Sequence, residues 1–558
     1  MVRRPLGAGA LLLLAYVGLS LLTDHRGYLG TDTGGKVATL EVMTDRRALD
    51  PDIGYWAERW DPQGRVHPLY YTSHIGPRWV NATTLPVLYA AYPLYRLGGY
   101  RLALVLPMLG SVLAALAARA LARRLSGGDG WAAFWLVGLA SPLLIYALDI
   151  WEHSLGVAAM TWAVVLLVDV VDGRRHAGAW AFAGAGALFG LAATMRTEAV
   201  VYAFVAVGLC AVVLVGRGQV VRALRGGAAS VAAFAVPLGL NHWLEVATVG
   251  QAIRFQRATG TAAAAVSGTV SVSGGGGAGR FREALLNAVG LIPAMEPRSY
   301  LVGTALLLLL VYLSRQASRA GDPGPAVLAA LGVALLYLIR FADGPGFIPS
   351  LVAATPLAVV GVTLGWRRPG ASAYVLAVGL GALPLVWATQ FQGGAAPQWA
   401  GRYLLVSGLL FGVVGIVVLP RLRQWVRISL VALAVTVTGF GYVWTVIRTH
   451  DVGRASADLA GGREPVLVSR IGHLLREGGI FYPDHRGLTA PSDDDQRFAA
   501  EVIAKAGYES FAVVQLTDQL PLPPMPGWRQ TGRRELDLFA GLGLTVVSYE
   551  ATAGGAAP

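Results

Sequence analysis

Apolar runs of similar length recur along most of the chain, separated by short polar connections. They fall near 6–23, 100–121, 131–148, 153–171, 178–195, 199–216, 228–246, 299–314, 325–340, 347–365, 373–390, 403–419 and 428–447. A helix needs about 20 residues to cross about 30 Å of hydrocarbon, and open strand edges cannot face lipid, so each run is expected to be a helix. The pattern predicts a polytopic α-helical membrane protein with about 13 transmembrane helices over residues 1–447. Arg3 and Arg4 precede the first run, but Thr23-Asp24-His25-Arg26 offers no small-residue cleavage site, so this run reads as an uncleaved helix.

The connections alternate in character. Arg119, Arg123/Arg124, Arg174/Arg175, Arg217, Arg222/Arg225, Arg315/Arg319, Arg367/Arg368 and Arg421/Arg423/Arg427 all fall in the even ones or, for Arg119, at the adjoining end of a span. By the positive-inside rule these are cytoplasmic, as is the N-terminus. The odd connections are then extracytoplasmic: a first loop at 24–99, turns at 149–153 and 196–198, the segments 247–298, 341–346 and 391–402, and the tail from 448. Carboxylates, tryptophans and histidines gather on that side.

Composition agrees with a protein of the plasma membrane, since 55% of residues are hydrophobic, only 14% are charged and the mean hydropathy is +0.54. The net charge of +12 lies in short arginine clusters between apolar runs, which suits membrane lipid headgroups and argues against nucleic acid. The single cysteine, Cys210, excludes a disulfide framework and a cysteine-ligated metal site. Only two lysines occur against abundant arginine, a skew typical of a GC-rich bacterial genome.

The tail, 448–558, reads as a small extracytoplasmic α/β domain. Strands are expected at 466–468, 511–516 and 544–549, a helical stretch at 471–477, and a helix from Ser492, an N-cap followed by three aspartates, to Lys505. It carries no nucleophile motif, so docking is its expected role. Gly274 to Gly277, within the small-residue stretch 258–279, reads as a loop.

Chemistry is expected in the outer connections. In Gly30-Thr31-Asp32-Thr33-Gly34-Gly35-Lys36, Asp32 is bracketed by small residues that let a substrate approach, and a carboxylate there suits a general base, while Lys36 can meet a phosphate. A solvated turn is the plainer reading of the same residues. The rest of the first loop interleaves aromatic and acidic residues, a pattern that serves sugar recognition or interfacial anchoring. Glu152 and His153 mark the second outer turn and suit acceptor binding, or in the case of Glu152 helix capping. Arg196-Thr197-Glu198 interrupts an apolar region, where Arg196 holds either a lipid phosphate or Glu198. Arg340 stands at the outer end of its span, where arginines commonly snorkel. Asn81-Ala82-Thr83 matches a glycosylation sequon that occurs often by chance.

The segment Gln398-Trp399-Ala400-Gly401-Arg402-Tyr403-Leu404-Leu405 puts a guanidinium at the outer end of a span, a geometry suited to a phosphate. It looks like the Trp-Gly-Pro-Arg-Tyr-Leu type of motif of actinobacterial glycosyltransferases, with Ala400-Gly401 in place of Gly-Pro. Together with the acidic first loop and the multiple spans, it resembles the GT-C superfamily of integral membrane glycosyltransferases that use polyprenyl-phosphate sugars. The resemblance implies a GT-C-like fold, with Asp32 as catalytic base and Lys36, Arg196 and Arg402 near the donor phosphate. Glu152, His153, Glu198, Arg340 and Trp399 are its expected further substrate contacts. Many members carry two adjacent acids in the first loop, whereas Thr33 follows Asp32 here, and this leaves a divalent cation compatible without requiring it. No other cofactor is implied. The expected reaction is sugar transfer, with inversion, from a polyprenyl-phosphate-linked donor to a cell-envelope glycan, glycolipid or protein acceptor. A transporter or flippase of a lipid-linked saccharide is the alternative, but it favours charges at mid-membrane depth and two related halves, whereas these charges gather at one face.

Overall fold

The computed structural model describes residues 3–81, 84–174, 178–254, 277–291, 296–342, 344, 349–367, 370–390, 399–519, 521–538 and 542–552. The helices are α1 (Arg3–Ser20), α2 (Thr31–Arg46), α3 (Leu85–Ala103), α4 (Val105–Ser126), α5 (Trp131–Leu139), α6 (Leu143–Tyr146), α7 (His153–Val171), α8 (Ala179–Met195), α9 (Glu198–Gly216) and α10 (Val220–Val249). They continue as α11 (Gly277–Val289), α12 (Pro297–Ala317), α13 (Gly324–Ala342), α14 (Leu351–Ala354), α15 (Pro356–Leu364), α16 (Ala371–Thr389), α17 (Leu405–Val418), α18 (Gln424–Ala460), α19 (Leu474–Glu477) and α20 (Asp493–Lys505).

Among the described residues, nine helical segments are long and apolar enough to cross a membrane, and α1 and α8 are shorter apolar helices. The chain is a polytopic helical membrane protein. Two of the expected spans are broken. Pro142 separates α5 from α6, and Thr355, forced out of the helical region by Pro356, separates α14 from α15. Large apolar side chains stand exposed on the long helices, Phe204, Leu328 and Leu224 among them, where lipid covers them. Elsewhere helices meet closely. A Cβ on Gly361 of α15 would lie 2.0 Å from the Phe411 carbonyl of α17, and one on Gly415 would lie 2.0 Å from that of Leu357, so small residues set this contact.

The connection after the first span is more ordered than its sequence suggests. The glycine-rich Asp32 segment is not a turn but the first turn of α2, entered through an extended Gly30. Residues 85–103 form α3, kinked at Gly98 and Gly99, so the following span begins at Val105 rather than at 100. The last span runs without a break for 37 residues to Ala460, well into what reads as tail.

The tail folds around a five-stranded sheet of order β4-β3-β5-β7-β6, built from β3 (Val466–Ser469), β4 (Arg486–Thr489), β5 (Ser510–Leu516), β6 (Trp528–Asp537) and β7 (Gly543–Ala551); β1 (Ser73–Ile75) and β2 (Arg78–Val80) form a hairpin in the first long loop. β3 runs parallel to β4 and β5, while β7 is antiparallel to β5 and β6. Ser492 caps α20, its hydroxyl accepting from the Asp495 amide. One face of the sheet packs Val513, Phe511 and Val547 against Val502 and Ile503 of α20 and against Tyr55, Val66 and Trp79 of the first loop. The other face packs Val514 and Val546 against Ala455 and Leu459 of α18 and Leu474 of α19. The first loop and the tail therefore share a core, which brings α2 against α19. The glycine run at 274–276 and the sequon residues Ala82 and Thr83 lie outside the described residues.

Candidate active site

Asp32 sits in the first turn of α2, where the helix dipole favours a negative charge. Its two carboxylate oxygens meet two different guanidinium groups. Arg402, just before α17, donates from Nη1 to Oδ2 at 3.2 Å, and Arg476 of α19 donates from Nη1 to Oδ1 at 3.2 Å. Arg402 also lies 5.2 Å from the Tyr403 ring centroid. A second cation meets the same ring, since the Arg196 guanidinium carbon stands 4.6 Å from its centroid. Tyr403 thus joins Arg402 to Arg196.

Arg196 occupies the break between α8 and α9. It donates from Nε to Glu198 Oε1 at 2.8 Å, and its Nη1 lies 3.5 Å from Glu152 Oε1. Burial works against its charge, but Glu198, Tyr403 and Glu152 overcome that penalty and hold the guanidinium ionised. Its Nη2, like Arg402 Nε and Glu198 Oε2, is buried without a hydrogen-bond partner among the described residues. Glu152 closes the chain of contacts by accepting from Lys36 Nζ at 2.6 Å. Burial pushes the Glu152 carboxyl up, yet the Lys36 and Arg196 charges outweigh it and hold the group below the usual carboxylate range.

The segment between α6 and α7 forms the floor. Asp149 is fully buried and accepts from the Thr33 hydroxyl at 2.8 Å and the Tyr100 hydroxyl at 2.9 Å. Burial raises its carboxyl to about 6, partly offset by those two hydroxyls and Lys36. Trp151 lies against Gly30, where a Cβ would sit 2.5 Å from the indole. His153 stacks on Tyr146 with centroids 5.0 Å apart, and neither of its ring nitrogens has a hydrogen-bond partner among the described residues.

Of the residues singled out in the sequence, Asp32, Glu152, Arg196, Glu198 and Arg402 thus gather in one network, with His153 beside Trp151 in its floor. Three others stand differently from expectation. Lys36 does not extend toward an open phosphate position but is 1% exposed and committed to Glu152, because a buried ammonium requires a counter-charge. Trp399 offers no ring surface to a sugar: it is 2% exposed and packs against Trp444 and over Gly441, while its carbonyl accepts from the Tyr146 hydroxyl at 2.8 Å. Arg340 does not snorkel: it is buried, donates to the Gly344 carbonyl and lies 4.9 Å from the Phe440 ring centroid. Gln398 lies outside the described residues.

The residue that sequence reasoning missed is Arg476. Nothing in Leu474-Leu475-Arg476-Glu477 signals a site, and 444 positions separate it from Asp32. Asn81, which holds Arg476 Nε at 3.0 Å, was legible only as a sequon. Among the described residues, no group of three or more histidine, cysteine, aspartate or glutamate side chains is placed to hold a metal ion. Each Asp32 oxygen already faces a guanidinium, so a cation there would have to displace one.

No protein-family model matches the chain, and no curated protein matches it. Among solved structures, ArnT from Cupriavidus metallidurans bound to undecaprenyl phosphate is similar at 15% identity, covering 99% of this chain and 99% of that one with a TM-score of 0.40. The same protein in the apo state is similar at 15% identity over the same shares, with a TM-score of 0.41.

Proposed function

We propose that this protein transfers a sugar from a polyprenyl-phosphate-linked donor to a cell-envelope glycan, glycolipid or protein acceptor at the outer face of the membrane, with inversion at the anomeric carbon. The observation that carries the reading is the Asp32 carboxylate at a helix N-terminus, 3.2 Å from Arg402 and one aromatic ring away from Arg196, at the ends of apolar helices. A base beside cations with unfilled donors is what such a transfer requires.

In the step, Asp32 takes the proton of an acceptor hydroxyl as that oxygen forms its bond to the anomeric carbon. The bond from that carbon to the phosphate oxygen breaks, and the electron pair leaves on the lipid phosphate. Arg402 Nε and Arg196 Nη2, buried and without a hydrogen-bond partner among the described residues, are the donors that would stabilise the departing charge. Ala400 and, on α17, Leu405, Leu409 and Ile416 line an apolar cavity, a surface chemistry that suits the isoprenoid chain of such a donor. Nucleotide sugars do not cross a bilayer unaided, so an outward-acting transferase needs a lipid-held donor. The arginine-rich connections then face the cytoplasm and the tail faces outward.

The test is incubation of purified protein with radiolabelled polyprenyl-phosphate mannose or arabinose and membrane acceptors. Wild type is expected to transfer label, and Asp32→Asn to lose at least about 100-fold in rate, the scale of general-base catalysis. Equal transfer by the variant would refute the assignment.

A further inference from the structure

We infer that Arg476, carried by the C-terminal segment, is a dedicated positioning residue for Asp32, so that the tail completes the catalytic centre instead of merely docking a partner. The inference rests on the reading of Asp32 as base.

Two glycines of α2 are shaped around this arginine. A Cβ on Gly34 would lie 1.7 Å from the Arg476 carbonyl oxygen, and one on Gly35 would lie 2.6 Å from Arg476 Nε and 2.1 Å from Asn81 Oδ1. A side chain at either position would push α19 off α2. The glycine pair that reads as turn chemistry in the sequence thus serves a close approach between two segments far apart in the chain.

The guanidinium is held at both ends. Nε donates to Asn81 Oδ1 at 3.0 Å, and Nη1 donates to Asp32 Oδ1 at 3.2 Å, with Arg476 only 1% exposed. The neighbouring Glu477 is anchored as well: its Oε1 accepts from Arg448 Nη2 of α18 at 2.9 Å, while Arg448 Nε donates to the Leu29 carbonyl at 3.2 Å. A fork locked this way loses little freedom per contact and fixes the carboxylate plane.

The two arginines on Asp32 therefore divide the work. Arg402 carries an unfilled buried Nε and contacts Tyr403, so it is shared between the base and the leaving phosphate. Arg476 stays with the base, keeping the carboxylate ionised and oriented when phosphate draws Arg402 away. Among the described residues, the charged groups that face Asp32 include Arg402, Arg476 and, acting through space, Glu152; Lys36 lies one turn along on α2.

The experiment compares wild type, Arg476→Gln, Arg476→Lys and Asn81→Ala, full length in nanodiscs, in the transfer assay as a function of donor concentration and pH. Arg476→Gln is expected to lower kcat at least tenfold with donor KM within twofold of wild type. With one positive neighbour gone, Asp32 protonates more readily, so the acid limb of the pH–rate profile should move up by about one unit. Arg476→Lys should restore most of kcat and return the acid limb, and Asn81→Ala should lower kcat by a smaller factor at unchanged KM, which keeps the test decisive should the Gln variant not fold. Unchanged kcat in the Gln and Ala variants, or a raised donor KM at normal kcat, would overturn the inference while leaving the transferase reading intact. No transfer by wild type from any donor would instead overturn the transferase reading, and the inference with it.

Discussion

Glu152 shows how a single side chain ties the site together. It is 5% exposed and faces Lys36 at 2.6 Å and Arg196 at 3.5 Å. Removing one partner of a buried ion pair leaves an uncompensated charge, at a cost of about 3–5 kcal/mol. Glu152→Gln is therefore expected to lower the apparent Tm in detergent by several degrees and to leave Lys36 without its counter-charge. An unchanged Tm would show that the pair contributes nothing. At this scale the sequence revealed which charged residues stand at the ends of apolar runs, because charge in lipid is conspicuous. It did not reveal their partners. Lys36 and Glu152 stand 116 positions apart, and neither flanking segment carries a mark of the other.

Between elements, Asp149 joins the segment after α6 to α2 through Thr33 and to α3 through Tyr100. Burial raises its carboxyl from 3.8 to about 6. A group whose folded value lies above its unfolded one stabilises the fold when protonated; that contribution is complete below about pH 3.8 and is lost as pH rises through about 6. The apparent Tm of wild type relative to Asp149→Asn should therefore fall between pH 4 and 6, by up to about 3 kcal/mol in stability. A difference independent of pH would contradict the burial argument. Elements were legible where one physical signal dominated. Long apolar runs marked the spans, and Ser492 before three aspartates marked α20. α2 was hidden because Thr31, Thr33, Gly34 and Gly35 are poor helix formers held by tertiary contacts. β6 was hidden because its outer residues, Arg529, Arg533 and Arg534 among them, belong to an exposed edge strand that carries charge in place of an apolar alternation.

On the scale of the molecule, sequence periodicity shows the spans, but not the shared core that clamps the first long loop onto the tail, since that core joins Trp79 and Tyr55 to a sheet more than 380 positions away. That clamp is what brings Arg476 to Asp32. Two pairs of arginine-bearing connections meet elsewhere: Arg124 and Arg174 both hold Asp169, and Arg423 donates to the Arg319 carbonyl. Orientation in the membrane is the central claim of the proposal. The most direct measurement uses sealed vesicles in which the accessible face is established by labelling the tail, with polyprenyl-phosphate sugar and acceptor supplied on one side only. The account predicts sugar transfer solely when both are supplied on the face that carries the tail. Movement of intact donor across the bilayer without transfer, or transfer confined to the opposite face, would contradict it.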